Sequence, residues 1–327
     1  MTLVARDVVR KRPGMFCGDP DHRGVLNLAH QLLGNALDQY LAGRCTHIDV
    51  RVDADGTITV EDNGPGIPFG RDGFPAVDAL LENLSVKPTV DGDRPHVHLW
   101  LAGVGLAAVT ALSERFELTS IREGVETRAV YARGVAIEPV RVHPVDRSSG
   151  TRITFRPDPE IFSTIHVSAI ELTRQLDELS YLAPGLRLSW AIASDPAAAR
   201  GLAAYVEREA PRREVVHHRG TYATDNGPVE VEVALAWTGY RAEPVLHSFV
   251  NLARTRGHGE HVAGLLDAVR ELAPARDGDR GLVAAVSVLL DDVLYGDAAK
   301  DRLDSPHARP AVAAATRAAL ANRKQPA

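Results

Sequence analysis

The sequence predicts an α/β (α+β) chain, and three observations carry that reading. Apolar residues recur at helical spacing between Gly24 and Ala42. Two strand-like runs, Ile48 to Val52 and Thr59 to Asp62, follow on either side of the turn Asp53-Ala54-Asp55-Gly56. Alternating segments then fill Arg115 to Phe155, and a further helical stretch covers Val167 to Leu182. Strands and helices mixed in this way call for a sheet covered by helices.

Size and composition fit a folded chain with two cores. There are 327 residues, 45% of them hydrophobic, and a formal charge of −6 with acidic and basic residues intermixed. Nucleic-acid affinity grows with the number of phosphates a basic surface neutralises, so weak DNA binding is expected of this chain alone. No apolar run approaches the roughly 18 residues needed to span a bilayer, and the start does not read as a signal peptide, so a cytoplasmic location without membrane attachment is expected. Cys17 and Cys45 stand far apart without ligand spacing around them, which predicts buried thiols.

In the first long helix Leu28, Leu32, Ala36 and Tyr40 form one stripe, with Leu33 and Leu37 beside it, and Gln31, Asn35 and Asp38 line up on the neighbouring stripe. The strand that follows ends in Asp62-Asn63-Gly64-Pro65-Gly66-Ile67-Pro68. An Asp-x-Gly turn alone is an ordinary strand end. Paired with a helix that carries an Asn, it resembles the first two nucleotide-binding motifs of the GHKL ATPases. Val9-Arg10-Lys11-Arg12-Pro13-Gly14-Met15-Phe16-Cys17-Gly18 is similar to the entry segment of the ATPase region of type IIA topoisomerase B subunits, the class that DNA gyrase and topoisomerase IV share. Later motifs keep the same order through Lys300, so the chain resembles a degenerate, stand-alone member over nearly its whole length. Arg10, Lys11 and Arg12 read either as a phosphate-binding cluster or as a solvated basic turn.

The resemblance implies a GHKL (Bergerat) mixed-sheet sandwich over residues 1–205, followed by a smaller transducer domain of ribosomal-protein-S5-like type over 206–327. It also implies ATP and Mg2+ as ligands. Where relatives read Glu-x-x-Asp-Asn-x-x-Asp-Glu, this chain reads Gln31-Leu32-Leu33-Gly34-Asn35-Ala36-Leu37-Asp38-Gln39. Asn35 keeps the magnesium-ligand position and Asp38 stays with the nucleotide, but Gln31 stands where the general base should be. An amide has no useful basicity near neutral pH, so hydrolysis is expected to be weak or absent. His30 precedes Gln31, but adjacent helical residues point about 100° apart.

Asp62 is implied as the adenine reader together with Thr151 of the Ser149-Gly150-Thr151 strand. Gly64 and Gly66 would shape the turn, and Ile67 and Pro68 would wall the base. Pro65 and Gln39 replace the Arg and Glu of a charge pair in relatives.

Phe74 to Leu81 reads as a short helix and Val86 to Arg94 as a loop carrying Lys87, whose alternatives are a phosphate contact or a solvated surface. The lid motif Gly-Gly-Leu-His-Gly-Val-Gly becomes Leu99-Trp100-Leu101-Ala102-Gly103-Val104-Gly105. Backbone N–H groups from Leu101 through Ala102, Gly103, Val104 and Gly105 to Leu106 would meet a phosphate at a helix start. Leu99 and Trp100 imply a stiffer lid, with Trp100 in the core or in a rebuilt pocket.

Ala107 to Leu112 predicts a buried helix, and strands are expected over 115–122, 126–132, 136–142, 149–155 and 186–192. Polar residues accumulate over 201–219, which places the domain boundary there. Strands 229–237, 245–252 and 282–290, a helix from Gly259 to Leu272 and an Ala-rich helix from Pro310 to Ala321 make up the second domain. Lys300 is implied as the contact to the terminal phosphate. His258 and His261 lack a third metal ligand. Only a few residues precede Val9, where relatives carry an arm that reaches across a dimer, and no toprim segment follows Ala321. The chain alone is therefore expected not to cleave DNA. A homodimer and a toprim-bearing or DNA-cleaving partner chain are the assemblies the resemblance implies. Alternative functions are an active ATP-hydrolysing topoisomerase component working with separate chains, and a pocket repurposed for a non-nucleotide small molecule.

Overall fold

The computed structural model describes residues 5–70, 74–84, 105–190, 197–198, 201–238, 243–272, 279–297 and 299–321. Helices α1 (Ala5–Lys11), α2 (Gly14–Cys17) and α3 (His22–Leu41) lead into strands β1 (His47–Val52) and β2 (Ile58–Asp62). Helices α4 (Val77–Glu82) and α5 (Gly105–Leu112) precede β3 (Ser113–Arg122), β4 (Val125–Ala132), β5 (Val135–Ala136), β6 (Arg141–Pro144) and β7 (Gly150–Pro157). Then come α6 (Ala169–Leu182), β8 (Arg187–Trp190), β9 (Ala197–Ala198) and α7 (Gly201–Glu209). The remainder is β10 (Val216–Thr224), β11 (Gly227–Trp237), β12 (Val245–Val250), β13 (Ala253–Arg254), β14 (His258–Gly259), α8 (Glu260–Leu272), β15 (Leu282–Leu289), β16 (Arg302–Leu303) and α9 (Ala308–Ala321).

The chain divides into two compact units. One comprises Met1–Arg94, His98–Asp177 and Gly185–Ala198, and the other Pro95–Val97, Glu178–Pro184 and Ala199–Ala327. In the first, a mixed sheet runs in the order β5-β4-β3-β7-β2-β1-β8-β9, with β6 on the same edge of β4 as β5. All its pairings are antiparallel except β1 with β8. Helix α3 begins because the Asp21 side chain accepts the Arg23 N–H at 2.8 Å, satisfying one donor of the first turn. Its apolar stripe, with Leu28, Leu32 and Leu37 at most 1% exposed, packs over β2 and β7. Every residue of α5 after Gly105 is buried, as its unbroken apolar run requires.

Several boundaries differ from the sequence reading. Helix α4 starts at Val77 rather than Phe74, because Phe74 precedes Pro75 and a residue before proline is steered out of the α region. The strand expected over 136–142 is two short pieces, β5 and β6, separated at Pro139, which has no N–H for the ladder. Arg10 is neither a phosphate ligand nor a solvated turn. It lies in α1, and its Nη1 donates to the fully buried Asp158 carboxylate at 2.7 Å and to the Ala111 carbonyl at 3.0 Å. Burial opposes ionisation of Asp158, yet the bonds from Arg133, the Glu160 N–H and Arg10 outweigh it and hold the carboxyl below its ordinary range. Cys17 and Cys45 are buried free thiols, and burial pushes both up to about 11.

The second unit is built on a five-stranded sheet in the order β10-β11-β15-β12-β13, with α8 and α9 completing a core around Val231, Val233, Leu265, Val286 and Val312. Helix α7 belongs to this unit. Its Leu202, Tyr205 and Val206 are buried, within the stretch whose polar residues placed the domain boundary in the sequence reading. Tyr205 joins a polar cluster in which Arg254 donates to Glu178 at 2.7 Å and to the Tyr205 hydroxyl at 2.8 Å, and faces the His247 Nδ1 at 3.2 Å. Burial, reinforced by the Arg254 charge, lowers His247 to about 4, so it is a neutral imidazole at pH 7. His258 and His261 are held by Ser248 and Thr255 hydroxyls at 2.8 and 3.2 Å. Among the described residues no group of three or more metal-ligating side chains is gathered. No described helix is long and apolar enough to cross a membrane.

Candidate functional site

The site is assembled from the end of β2, the turn behind it, the start of β7 and the polar stripe of α3. Asp62 and Thr151 stand directly opposite each other across β2 and β7, so both side chains leave the same face of the sheet. They are 7% and 5% exposed. The Asp62 Oδ1 accepts the Gly64 N–H at 2.8 Å. Burial pushes this carboxyl up to about 6, against the lowering effect of the Gly64 and Thr151 backbone bonds.

A raised acid favours the folded state while it is protonated. Stability is therefore fully present below the ordinary value of 3.8 and is lost as pH rises through about 6. Keeping Asp62 charged at pH 7 costs on the order of 3 kcal/mol, and a buried carboxylate held at such a cost is a candidate for recognition.

Glycines shape the turn for steric reasons. Gly66 has φ +75°, and a Cβ on it would lie 2.2 Å from the Ile121 carbonyl oxygen. A Cβ on Gly64 would come 2.8 Å from the Asp62 Oδ1 and 3.4 Å from the Gln39 Cβ. A Cβ on Gly150 would come 2.5 Å from the Asp62 carbonyl oxygen. Gly66→Ala is expected to destabilise the first unit by about 2 kcal/mol or more, through the left-handed backbone and the displaced carbonyl. Urea denaturation checks this, and an unchanged midpoint would contradict the steric account.

On α3, Gln31, Asn35, Asp38 and Gln39 are half-buried, while Leu32, Leu33, Gly34, Ala36 and Leu37 between them are buried. They therefore share one helical face. Gln39 lies against Gly64, one residue from Pro65, so the two positions that lack the relatives' charge pair are neighbours in space. His30 does not share this stripe. It is 2% exposed, its Nε2 meets the Gln175 Oε1, its Nδ1 is buried without a partner among the described residues, and burial lowers it to about 4.

Ile67 and Pro68 continue the turn, with the Ile67 N–H donating to the Ser120 Oγ at 2.7 Å. Leu106 is buried in the first turn of α5, and Gly105 opens that helix at φ +74°. Leu101, Ala102, Gly103 and Val104 lie outside the described residues, as do Lys87, Leu99 and Trp100. Lys300 belongs to the second unit, at φ +58°, with its Nζ 5.5 Å from the Tyr295 ring centroid. Burial lowers it to about 8.

Sequence reasoning missed the residues that brace the turn from behind. Ser120 receives Ile67, and Arg122 donates from Nη1 to the Gly66 carbonyl at 3.3 Å. Phe116 and Leu118 are fully buried, so the inward period of β3 turns polar at Ser120 and Arg122, and that break was the available signal. Asn63 escaped notice as well. Its Oδ1 accepts the Thr46 and His47 N–H groups at 2.9 and 2.8 Å, pinning the turn to the start of β1.

Comparison with known proteins agrees with this fold. Residues 21–161 match the family described as histidine kinase-, DNA gyrase B-, and HSP90-like ATPase, which is the class that the fold and site define. Residues 201–276 match the DNA gyrase B family. The DNA gyrase B protein of Thermus thermophilus is 34% identical over 95% of this chain and 53% of its own length. That of Synechocystis is 32% identical over 94% of this chain and 31% of its own.

The 43K ATPase domain of Thermus thermophilus gyrase B, solved in complex with an aminocoumarin, superposes with a TM-score of 0.79 at 32% identity, covering 97% of this chain and 89% of that one. The topoisomerase IV ATP-binding domain of Francisella tularensis shares the fold, with a TM-score of 0.75 at 22% identity over 96% of this chain and 90% of that one. The chain belongs to the DNA gyrase B family and corresponds to its ATPase region. It spans about half or less of the length of these two curated relatives.

Proposed function

We propose that this chain is an ATP-binding module of the gyrase B type that turns nucleotide over weakly or not at all. The observation that carries this reading is the pairing of a buried, costly carboxylate at Asp62 with a neutral amide at Gln31. Asp62 and Thr151 would receive the adenine edge, and the turn from Gly64 to Pro68 would wall the base. The backbone N–H groups between Leu101 and Leu106 would hold the phosphates. Asn35 offers an amide oxygen on the same helical face as Asp38. That suits a magnesium ion which takes most of its ligands from phosphates and water. The ion would supply charge neutralisation on the phosphates. Gln31 can orient a water by hydrogen bonding but cannot accept its proton.

With a net charge of −6, the chain would hold DNA weakly by itself. A toprim-bearing or DNA-cleaving chain is the proposed partner, and the module would work in the cytoplasm as a monomer or a homodimer.

Calorimetry with ATP and magnesium, run beside a phosphate-release assay, tests the reading. Binding without release supports it, rapid release identifies an active ATPase, and no binding points to a non-nucleotide ligand. Asp62→Asn is expected to weaken ATP by about 10- to 100-fold, since an amide mispaired with the adenine amino group leaves buried polar atoms unmatched. Wild-type affinity should also fall as pH drops through about 6, where Asp62 gains its proton, and Asp62→Asn should lose that inflection. Equal affinities at pH 5.5 and 7.5 in the wild type would remove Asp62 from the binding site.

A further inference from the structure

Asparagine followed by glycine occurs twice in the chain, at Asn63-Gly64 and at Asn226-Gly227. This dipeptide carries its own chemistry. The glycine nitrogen gives up its proton and attacks the Cγ of the asparagine side chain, closing a cyclic imide and expelling ammonia. Water then opens the imide at either carbonyl and leaves aspartate or isoaspartate. Glycine allows the approach because no Cβ shields its nitrogen and its backbone turns freely. The reaction needs a mobile amide side chain and an accessible glycine nitrogen, and the fold treats the two sites differently.

At Asn63 both groups are locked. Its Oδ1 accepts the Thr46 and His47 N–H groups at 2.9 and 2.8 Å, and its Nδ2 donates to the Thr46 Oγ1 at 3.0 Å. The nucleophile is occupied as well, since the buried Gly64 N–H donates to the Asp62 Oδ1 at 2.8 Å. Imide closure there must first break these bonds.

Asn226 lies at the tip of the hairpin that joins β10 to β11, and it is exposed. Among the described residues its side chain is held by one bond, from Nδ2 to the Asp292 Oδ2 at 2.7 Å. Gly227 has φ +103°, and a Cβ placed on it would meet nothing within 4 Å, so the space beside it is open. Paired with Thr224, it is also the last rung of the β10–β11 ladder, where a hairpin opens first.

The bond to Asp292 gives the reaction a structural consequence. Asp292 stands between β15 and β16, and its carbonyl accepts the Ser305 hydroxyl at 3.2 Å. The Asn226 amide therefore ties the hairpin tip to that segment. After conversion the donor is gone and two carboxylates face each other, which is repulsive. Isoaspartate also lengthens the backbone by one carbon at the turn.

We propose that Asn226 is a site of spontaneous deamidation, a modification that unties the β10–β11 hairpin tip from Asp292 as the protein ages. Water is the co-reactant, ammonia leaves, and the chain gains one negative charge. The site uses no residue invoked for the nucleotide.

Prolonged incubation of the full chain in mildly alkaline buffer, followed by proteolysis at mildly acidic pH and mass spectrometry with electron-transfer fragmentation, tests the proposal. Asn226 is expected to convert at least about 10-fold faster than Asn63, with isoaspartate among the products, since the locked site reacts only through local opening. Asn226→Gln should suppress conversion at this position, because the longer side chain would have to close a larger ring, and should leave Asn63 unchanged. Asn226→Asp should speed amide hydrogen exchange at the hairpin tip and over residues 291–294 by about 3-fold or more. No conversion at Asn226, conversion of Asn63 at a matching rate, or aspartate formed without isoaspartate overturns the modification site. Unchanged exchange in Asn226→Asp overturns the tether.

Discussion

Gln31→Glu is expected to release phosphate from ATP at least about 10²-fold faster than the wild-type chain. A positioned base contributes roughly 10²- to 10⁴-fold to such a step, and this substitution returns a proton acceptor to the half-buried face of α3 without changing side-chain length. Asn35 and Asp38 already occupy that face, so on the proposed reading one atom type separates the present stripe from one expected to activate water. Phosphate release at saturating ATP measures the gain. If turnover stays at background while ATP binds tightly, the missing base is not what limits hydrolysis, and the phosphate contacts have been lost as well.

Arg254→Met is expected to cost the second unit about 3 kcal/mol. The substitution removes the guanidinium from over the Phe249 ring, strands the Glu178 carboxylate and removes the donor to the Tyr205 hydroxyl. The side chains of Arg254 and Glu178 are 25% and 11% exposed, and breaking such a pair by removing one partner costs far more than the pair contributes. Urea denaturation followed by far-UV circular dichroism gives the loss. Replacing Glu178 by Leu in the same chain should recover at least half of it, because no charge is then left unpaired. A single-variant loss below about 1 kcal/mol would show that the cluster is effectively solvated.

The contrast between these two predictions follows how far each site could be read from the chain. The α3 stripe and the Asp62 turn were legible because each is local: a helical period fixes which residues share a face, and Asp-x-Gly-x-Gly writes its own backbone. The Arg254 cluster was not legible, since Glu178 lies 76 residues away and Tyr205 lies 49 away, so pairing depends on tertiary placement. Helix α7 was hidden for a related reason. Its three buried residues are followed by Glu207, Arg208 and Glu209, and the sum reads as polar although the face does not. Ser120 and Arg122 were visible only as a change in what β3 points inward, which a strand count ignores.

The five-stranded sheet of the second unit has its middle strand last in the chain. β15 sits between β11, to which it runs antiparallel, and β12, to which it runs parallel. During synthesis, β11 and β12 therefore leave the ribosome with their mutual neighbour still untranslated. Val229, Val231, Val233 and Leu235, at most 1% exposed in the finished protein, lie on a strand that has no partner on its β15 edge until Leu289 has emerged. The nascent chain carries these adhesive strand edges through translation of β12 to β15, the interval in which a chaperone has most to protect.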